Sequence, residues 1–282
     1  MYGVKMKFIL MSIMSFVMII NIVHAQTNNP NNTSTFEIFT IAKEVKIIRI
    51  LPSVYVIEDQ GGIAPAYSMI VDISDDNLLL VDTTDPEKTK EILAWADKKF
   101  NGKKIVAINT HHHSDRTGGN AILIEKGIPV YGSDLTASLA TEEHEIPPNH
   151  IFPANQGKTL NFDNNKVVIF YPGPAHTEDN VVVYIPHLKL LFGGCMVVPF
   201  QKVYRVPDAN IEAWPNSLAK LKRFDIEWVI PGHPASLNDD LNFSPSLIEH
   251  TEMLLRTGKT GEFTESDKQA LRNEKAQYDA SH

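Results

Sequence analysis

The residues of this chain that could do chemistry gather in one short stretch, Asn109-Thr110-His111-His112-His113-Ser114-Asp115-Arg116-Thr117-Gly118-Gly119. Three histidines and an aspartate arrive together, and imidazole nitrogen and carboxylate oxygen are both zinc ligands. Residues two apart on an extended segment point the same way. His111 and His113 can therefore face one metal while His112 faces elsewhere. Asp115 stands two further on, where it can turn toward a neighbouring metal. Gly118-Gly119 lets the backbone turn tightly before the next helix. The plain alternative is a polar loop with histidines clustered by chance.

Three further places bear on that choice. Pro172-Gly173-Pro174-Ala175-His176-Thr177-Glu178-Asp179-Asn180 holds His176 on a loop stiffened by prolines. A lone loop histidine is more often structural, and the rigid loop shifts the balance toward a ligand. Gly193-Gly194-Cys195 sets two glycines before the only cysteine, which suits close backbone approach to a site. Pro231-Gly232-His233 follows a short apolar run in the same manner. Each alone is a weak signal. Together they supply six ligands, three for each of two zinc ions, and three protein ligands with an open position is the catalytic arrangement of zinc.

These clusters need strands to carry them. Val45–Ile50, Val54–Glu58, Tyr67–Ile73, Leu78–Val81 and Lys104–Ile108 are rich in β-branched and apolar residues and read as strands. Leu78–Val81 is almost wholly apolar, as in a strand buried on both faces. Asp85 can cap a helix with Pro86 in its first turn, running to a stop at Gly102. Ala121–Lys126 and Leu135–Ala140 read as short helices flanking a strand at Pro129–Gly132, and Thr141–Gln156 reads as a loop. In the second half, Leu160–Phe162, Val167–Tyr171, Val181–Ile185, Leu188–Phe192 and Trp228–Ile230 read as strands. Ile211–Arg223 has helical spacing, with Pro215 tolerable only in the first turn. Ser244-Pro245 opens a last helix through Leu255, and from Lys259 the chain is a polar, weakly helical or frayed tail. Two packed sheets with helices outside would accommodate this order.

The termini and the charge set the address. Lys5 and Lys7 precede an apolar run from Phe8 to Val23, and Val23-His24-Ala25 resembles a small-residue cleavage site. Residues 1–25 are therefore expected to be a cleaved secretory signal peptide, placing the mature protein in a periplasm. The run is short for a membrane span. Gln26–Ser34 is Asn-rich and expected to be disordered. Removing the leader takes the net charge from −8 to −10, because two lysines and no acid leave with it. An acidic body without a basic run argues against nucleic acid or an anionic membrane surface as partner. One cysteine, Cys195, allows no intramolecular disulfide, so this thiol is either inert or a metal ligand.

The pieces His111-x-His113-x-Asp115-Arg116, Gly-x-x-His176-Thr-x-Asp-Asn, Gly-Gly-Cys195 and Gly-His233 stand in an order that resembles the metallo-β-lactamases, over about Val45–Leu255. Arg116 after the aspartate, and Cys195 as ligand, resemble the dizinc broad-spectrum subclass rather than glyoxalase II-type thioester hydrolases. The resemblance implies an α/β fold, an αβ/βα four-layer sandwich, with a catalytic domain over 26–258 and a polar tail over 259–282. It implies that His111, His113 and His176 bind one zinc and that Asp115, Cys195 and His233 bind a second. Asp115 would also orient the nucleophile, a metal-bound hydroxide that opens the β-lactam amide of penicillins, cephalosporins and carbapenems. Three departures touch the substrate side. Val198 stands where a lysine often holds the substrate carboxylate, Tyr204-Arg205-Val206-Pro207 replaces a Gly-Asn stretch before Asp208-Ala209-Asn210, and Pro234 follows His233. Arg205, and next Lys202, are the candidates to replace that lysine, since a guanidinium can clasp a carboxylate with two hydrogen bonds. The loop Gln60–Pro65, with Ile63 at its apolar tip, would fold over the substrate as its counterpart does in the family. The chain is expected to act as a monomer. A thioester or lactone hydrolase, or a non-catalytic zinc-binding protein, are the other readings.

Overall fold

The computed structural model describes residues 20–26, 33–61, 64–205, 207–235 and 241–281. Nine strands form the first sheet in sequence order: β1 (Ile20–Gln26), β2 (Thr33–Ala42), β3 (Val45–Leu51), β4 (Val54–Asp59), β5 (Ala66–Asp72), β6 (Asn77–Val81), β7 (Lys104–Ile108), β8 (Val130–Ser133) and β9 (His150–Phe152). Pairing is antiparallel from β1 to β6 and parallel from β6 to β9. A five-stranded sheet, β10 (Lys158–Phe162), β11 (Asn165–Phe170), β12 (Val182–Ile185), β13 (Leu190–Gly194) and β15 (Trp228–Pro231), faces it. A small parallel pair joins β14 (Val203–Arg205) to β16 (Thr260–Glu262).

Strand alternation explains the layering. Val54 and Val56 of β4, Met69 and Val71 of β5, and Leu79 and Val81 of β6 point between the sheets, where they meet Val183, Leu190 and Phe192. Their neighbours Tyr55, Ile57, Ile70, Leu78 and Leu80 point outward against Ile92, Trp95 and Phe100 of α1 (Pro86–Phe100). On the other sheet Val182, Tyr184 and Leu191 face Trp214 and Leu218 of α5 (Trp214–Ala219) and Leu254 of α6 (Ser246–Arg256). Both faces of the central strands are thus buried, which is why β4, β5, β6, β12 and β13 are apolar at successive positions rather than alternate ones. The result is helix, sheet, sheet, helix. Short helices α2 (Ser114–Thr117), α3 (Asn120–Glu125) and α4 (Asp134–Glu142) link the parallel strands, and α7 (Glu265–Ser281) follows β16.

Local chemistry sets the boundaries. Asp85 accepts hydrogen bonds from the Glu87 and Lys88 amides at 3.0 Å and caps α1, with Pro86 in the first turn. Pro215 sits in the first turn of α5, which begins at Trp214 rather than Ile211 and passes into a 3-10 turn over Lys220–Arg223. Two expectations need correction. The stretch 141–156, read as loop, contains β9, an edge strand with only Phe152 buried and so without apolar alternation. The segment after Lys259, read as a polar, weakly helical or frayed tail, is not frayed: it forms β16 and the 17-residue helix α7. Residues 27–32 of the Asn-rich stretch, and residues 1–19 of the expected leader, lie outside the described residues. The remainder of that leader lies in β1, which pairs with β2. No helix among the described residues is long and apolar enough to cross a membrane.

Candidate metal centre

The loops that leave β6, β7, β11, β13 and β15 gather at one edge of the sandwich. After β7 the chain bends through His111–His113 and enters α2. Asp82, at the end of β6, braces this turn. Its carboxylate accepts from the Thr110 amide and from Thr110 Oγ1, both at 2.7 Å. Asp82 does so from a left-handed backbone (φ 62°), a conformation uncommon for residues other than glycine. Asn109 Nδ2 and Thr83 Oγ1 both donate to the Arg116 carbonyl, at 2.7 and 2.9 Å, and close the far side of the turn.

The six residues form two groups of donors, and a third candidate group, His112, His113 and Asp208, shares His113 with the first. His111 Nε2 and His176 Nε2 lie 3.2 and 3.3 Å from His113 Nδ1. Cys195 Sγ lies 3.3 Å from His233 Nε2, and Asp115 Oδ2 is 3.7 Å from the same nitrogen. Within each group the ligand atoms are all within 4.8 Å of one another. Zinc–nitrogen bonds of about 2.0–2.1 Å in a tetrahedron put two ligand atoms roughly 3.3 Å apart, so the first group fits zinc as it stands. The second combines thiolate, imidazole and carboxylate donors, also a zinc set. The six residues that sequence spacing singled out are therefore brought together as two triads.

The rings are aimed by their second nitrogens. His233 Nδ1 donates to the Pro65 carbonyl at 2.7 Å, which leaves the Nε2 lone pair facing Cys195, Asp115 and, at 3.2 Å, Arg116 Nη2. His113 Nε2 stands 3.3 Å from Asp208 Oδ2, which leaves Nδ1 facing His111 and His176. His112 turns away, as its place between the two implies. It is buried, with Nδ1 at 2.9 Å from Asp179 and Nε2 near Asp208 and Glu143. Asp208 and Asp179 are contributors that residue spacing did not reveal. Both lie beside recognisable turns, but their partners are distant in the chain.

Arg116 underlies the second triad with its side chain fully buried. Nη2 forms an ion pair with Asp115 Oδ2 at 2.7 Å and donates to Cys195 Sγ and to the Gly232 carbonyl, both at 2.9 Å, while Nη1 donates to the Tyr67 carbonyl at 2.7 Å. Asp82 Oδ2 is 3.7 Å away. Gly232 is required here, because a Cβ would come within 2.7 Å of the Cys195 amide nitrogen and sulfur.

Charge in the site follows from this packing. Burial, then the neighbouring His113, hold His111 and His176 well below the ordinary imidazole range. Burial and Arg116 bring His233 down to about 4. These rings are neutral near pH 7 and present lone pairs. Burial pushes the Cys195 thiol up to about 12 despite Arg116, so a metal there must displace a proton. Desolvation opposes ionisation of Asp115, but Arg116 and His233 outweigh it and hold the carboxyl below its usual value. Burial raises Asp82 to about 7.

Of the three substrate-side candidates, Lys202 is engaged elsewhere. Lys202 Nζ sits on both carboxylate oxygens of Asp267, at 3.1 and 3.2 Å. Arg205 lies on β14. Ile63 lies outside the described residues. Val198 is buried.

Comparison with known proteins agrees with this geometry. The family model of the Metallo-beta-lactamase superfamily matches residues 61–233. A metallo-beta-lactamase type 2 from Bacillus sp. (strain 170) is 38% identical over 179 residues, covering 61% of this chain and 68% of that protein. A metallo-beta-lactamase type 2 from Bacteroides fragilis is 32% identical over 225 residues, covering 76% of this chain and 87% of that protein. Among solved structures, a metallo-beta-lactamase from Pontibacter korlensis superposes with a TM-score of 0.68 at 31% identity, covering 75% of this chain and 99% of that one. With the match spanning more than half of the chain, on a sandwich whose edge carries two zinc-type donor sets, the protein belongs to the metallo-β-lactamase superfamily and is a zinc-dependent hydrolase.

Proposed function

We propose that the protein hydrolyses the amide bond of β-lactam antibiotics, penicillins, cephalosporins and carbapenems among them, with two zinc ions held by the two triads. The observation that supports this most is the pairing of an all-imidazole triad with an Asp115–Cys195–His233 triad at one sheet edge. Bound zinc supplies a water of lowered pKa and a Lewis acid for the carbonyl oxygen. The protein's own residues do the rest. Asp115, held through Oδ2 by Arg116, accepts a hydrogen bond from the attacking water and takes its proton. The water oxygen bonds to the lactam carbonyl carbon, the C–N bond breaks, and the proton returns to the departing nitrogen. No side chain becomes acylated. Arg205 pairs with the substrate carboxylate, and the loop Gln60–Pro65 closes over the ring.

Hydrolysis of a chromogenic cephalosporin, measured before and after chelation and again after zinc is restored, tests this reading. Activity that vanishes with chelator and returns with zinc, together with two zinc ions per chain by elemental analysis, is the expected result. Hydrolysis of thioesters or lactones alone would move the protein to a neighbouring activity, and zinc binding without hydrolysis would make it a binding protein. We also propose cleavage of a leader after Ala25, delivery to a periplasm and action as a monomer. N-terminal sequencing of the exported protein would then begin at Gln26, so most of β1 would be absent from the mature form.

A further inference from the structure

We propose that the C-terminal segment from Lys259 to Ser281 is part of the substrate side of this site, with Asp267 as its positioning residue. It fixes the strand that carries Arg205, and through it the ring of Phe200 beside His233. The proposal rests on the β-lactamase reading for its substrate, and not for its structural part.

The stretch that leaves Cys195 is held in two halves. The first half is tied to α6: Thr251 Oγ1 accepts from the Val198 amide at 2.8 Å, and His250 Nε2 donates to the Phe200 carbonyl at 2.7 Å. The second half pairs with neither large sheet. Its strand partner is β16, with Val203↔Thr260, Tyr204↔Gly261 and Arg205↔Glu262 in register and the Val203 amide donating to the Lys259 carbonyl at 2.9 Å. An isolated two-stranded pair is marginal in water, so side chains must hold it. Lys202 grips Asp267, and its ammonium lies 4.7 Å over the Tyr204 ring. Asp267 is itself fixed, since its Oδ2 accepts from Thr264 N at 2.9 Å and from Thr264 Oγ1 at 2.6 Å, at the start of α7.

Rings carry the support to the metal ligands. Phe263 meets Tyr204 edge-on at 5.0 Å, Tyr204 meets Phe200 at 5.4 Å, and Phe200 lies tilted 6.2 Å from His233. A displaced C-terminal segment would therefore release Tyr204, then Phe200, beside a residue of the second triad. The family match ends at His233, so Phe263, Thr264 and Asp267 all lie beyond it.

The competing role for Lys202, direct capture of the substrate carboxylate, predicts the opposite sign. If Asp267 merely masks Lys202, freeing the lysine should improve substrate binding. If Asp267 positions the strand, freeing it should worsen binding. The test uses full-length, zinc-loaded protein with Asp267→Asn and, separately, Phe263→Ala. Steady-state kinetics on a carboxylate-bearing cephalosporin, zinc content and hydrogen exchange at residues 203–205 are measured for each. Asp267→Asn is expected to raise KM about two- to five-fold, the range for a partly exposed ion pair, with kcat and zinc content unchanged and faster exchange at Val203 and Tyr204. Phe263→Ala should act in the same direction. Unchanged exchange, or a KM that stays the same or falls, would overturn the proposal. If the wild-type protein does not hydrolyse the cephalosporin, the substrate reading fails, and the exchange result still decides whether the segment fixes the strand.

Discussion

Arg116 offers the sharpest test of how the second triad is built. Its side chain is wholly buried and serves two backbone carbonyls, the Asp115 carboxylate and the Cys195 sulfur. Arg116→Gln removes the charge and shortens the reach. Breaking a buried ion pair by deleting one partner costs about 3–5 kcal/mol. Two features of the site place the metal-free protein at the low end. Asp82, raised to about 7, can shed its charge by taking a proton. Cys195, raised to about 12, is already a neutral thiol. Asp115 is then the carboxylate left without its closest counter-charge, and a loss of about 3 kcal/mol is expected. Urea unfolding of metal-free wild type and variant near pH 7, with equal m-values, measures this. Zinc retention at the second triad should fall as well, because Arg116 fixes both Asp115 and Cys195. Arg116→Lys should recover only part, since one ammonium cannot reproduce the fork that reaches Tyr67 and Gly232 together. An Arg116→Gln protein with wild-type stability and two bound zinc ions would refute the reasoning.

Three further outcomes follow from the same geometry. Asp82 has a raised pKa in the folded, metal-free protein, so the native state binds more protons than the unfolded chain between its ordinary value and about 7; stability should fall as pH rises across that window and level off above it, and Asp82→Asn should flatten the fall in urea titrations. Zinc binding at the second triad displaces the Cys195 proton, so its affinity should tighten about tenfold per pH unit near neutrality, whereas Cys195→Ser should lose that slope in chelator-competition titrations. Arg205→Ala should raise KM for carboxylate-bearing β-lactams about ten- to a hundred-fold, as expected for a charge-assisted hydrogen bond of roughly 1.5–3 kcal/mol, with zinc content unchanged; unaltered kinetics would eliminate Arg205 as the anchor.

Much of the molecule is determined by short-range pattern. The apolar runs of β4 to β7, the Asp85-Pro86 cap of α1 and the Gly-flanked ligands all declare themselves within a few residues. The i, i+2 spacing of His111 and His113 already separates them from His112, and the structure turns His112 to Asp179 instead. Tertiary structure alone decided what stands behind the ligands. Arg116 reaches Cys195 across 79 residues and Gly232 across 116, and His112 reaches Asp179 across 67. No local periodicity encodes such partners. The C-terminal segment shows the same limit: its composition is polar and its helix largely exposed, so it reads as a tail. It is placed by pairing with β14 and by the grip of Asp267 on Lys202, 65 residues earlier. Ligand identity is a matter of donor chemistry and spacing, which the chain carries locally. Ligand aim, charge balance and the placement of the C-terminal segment depend on groups that meet only after the sheets have packed.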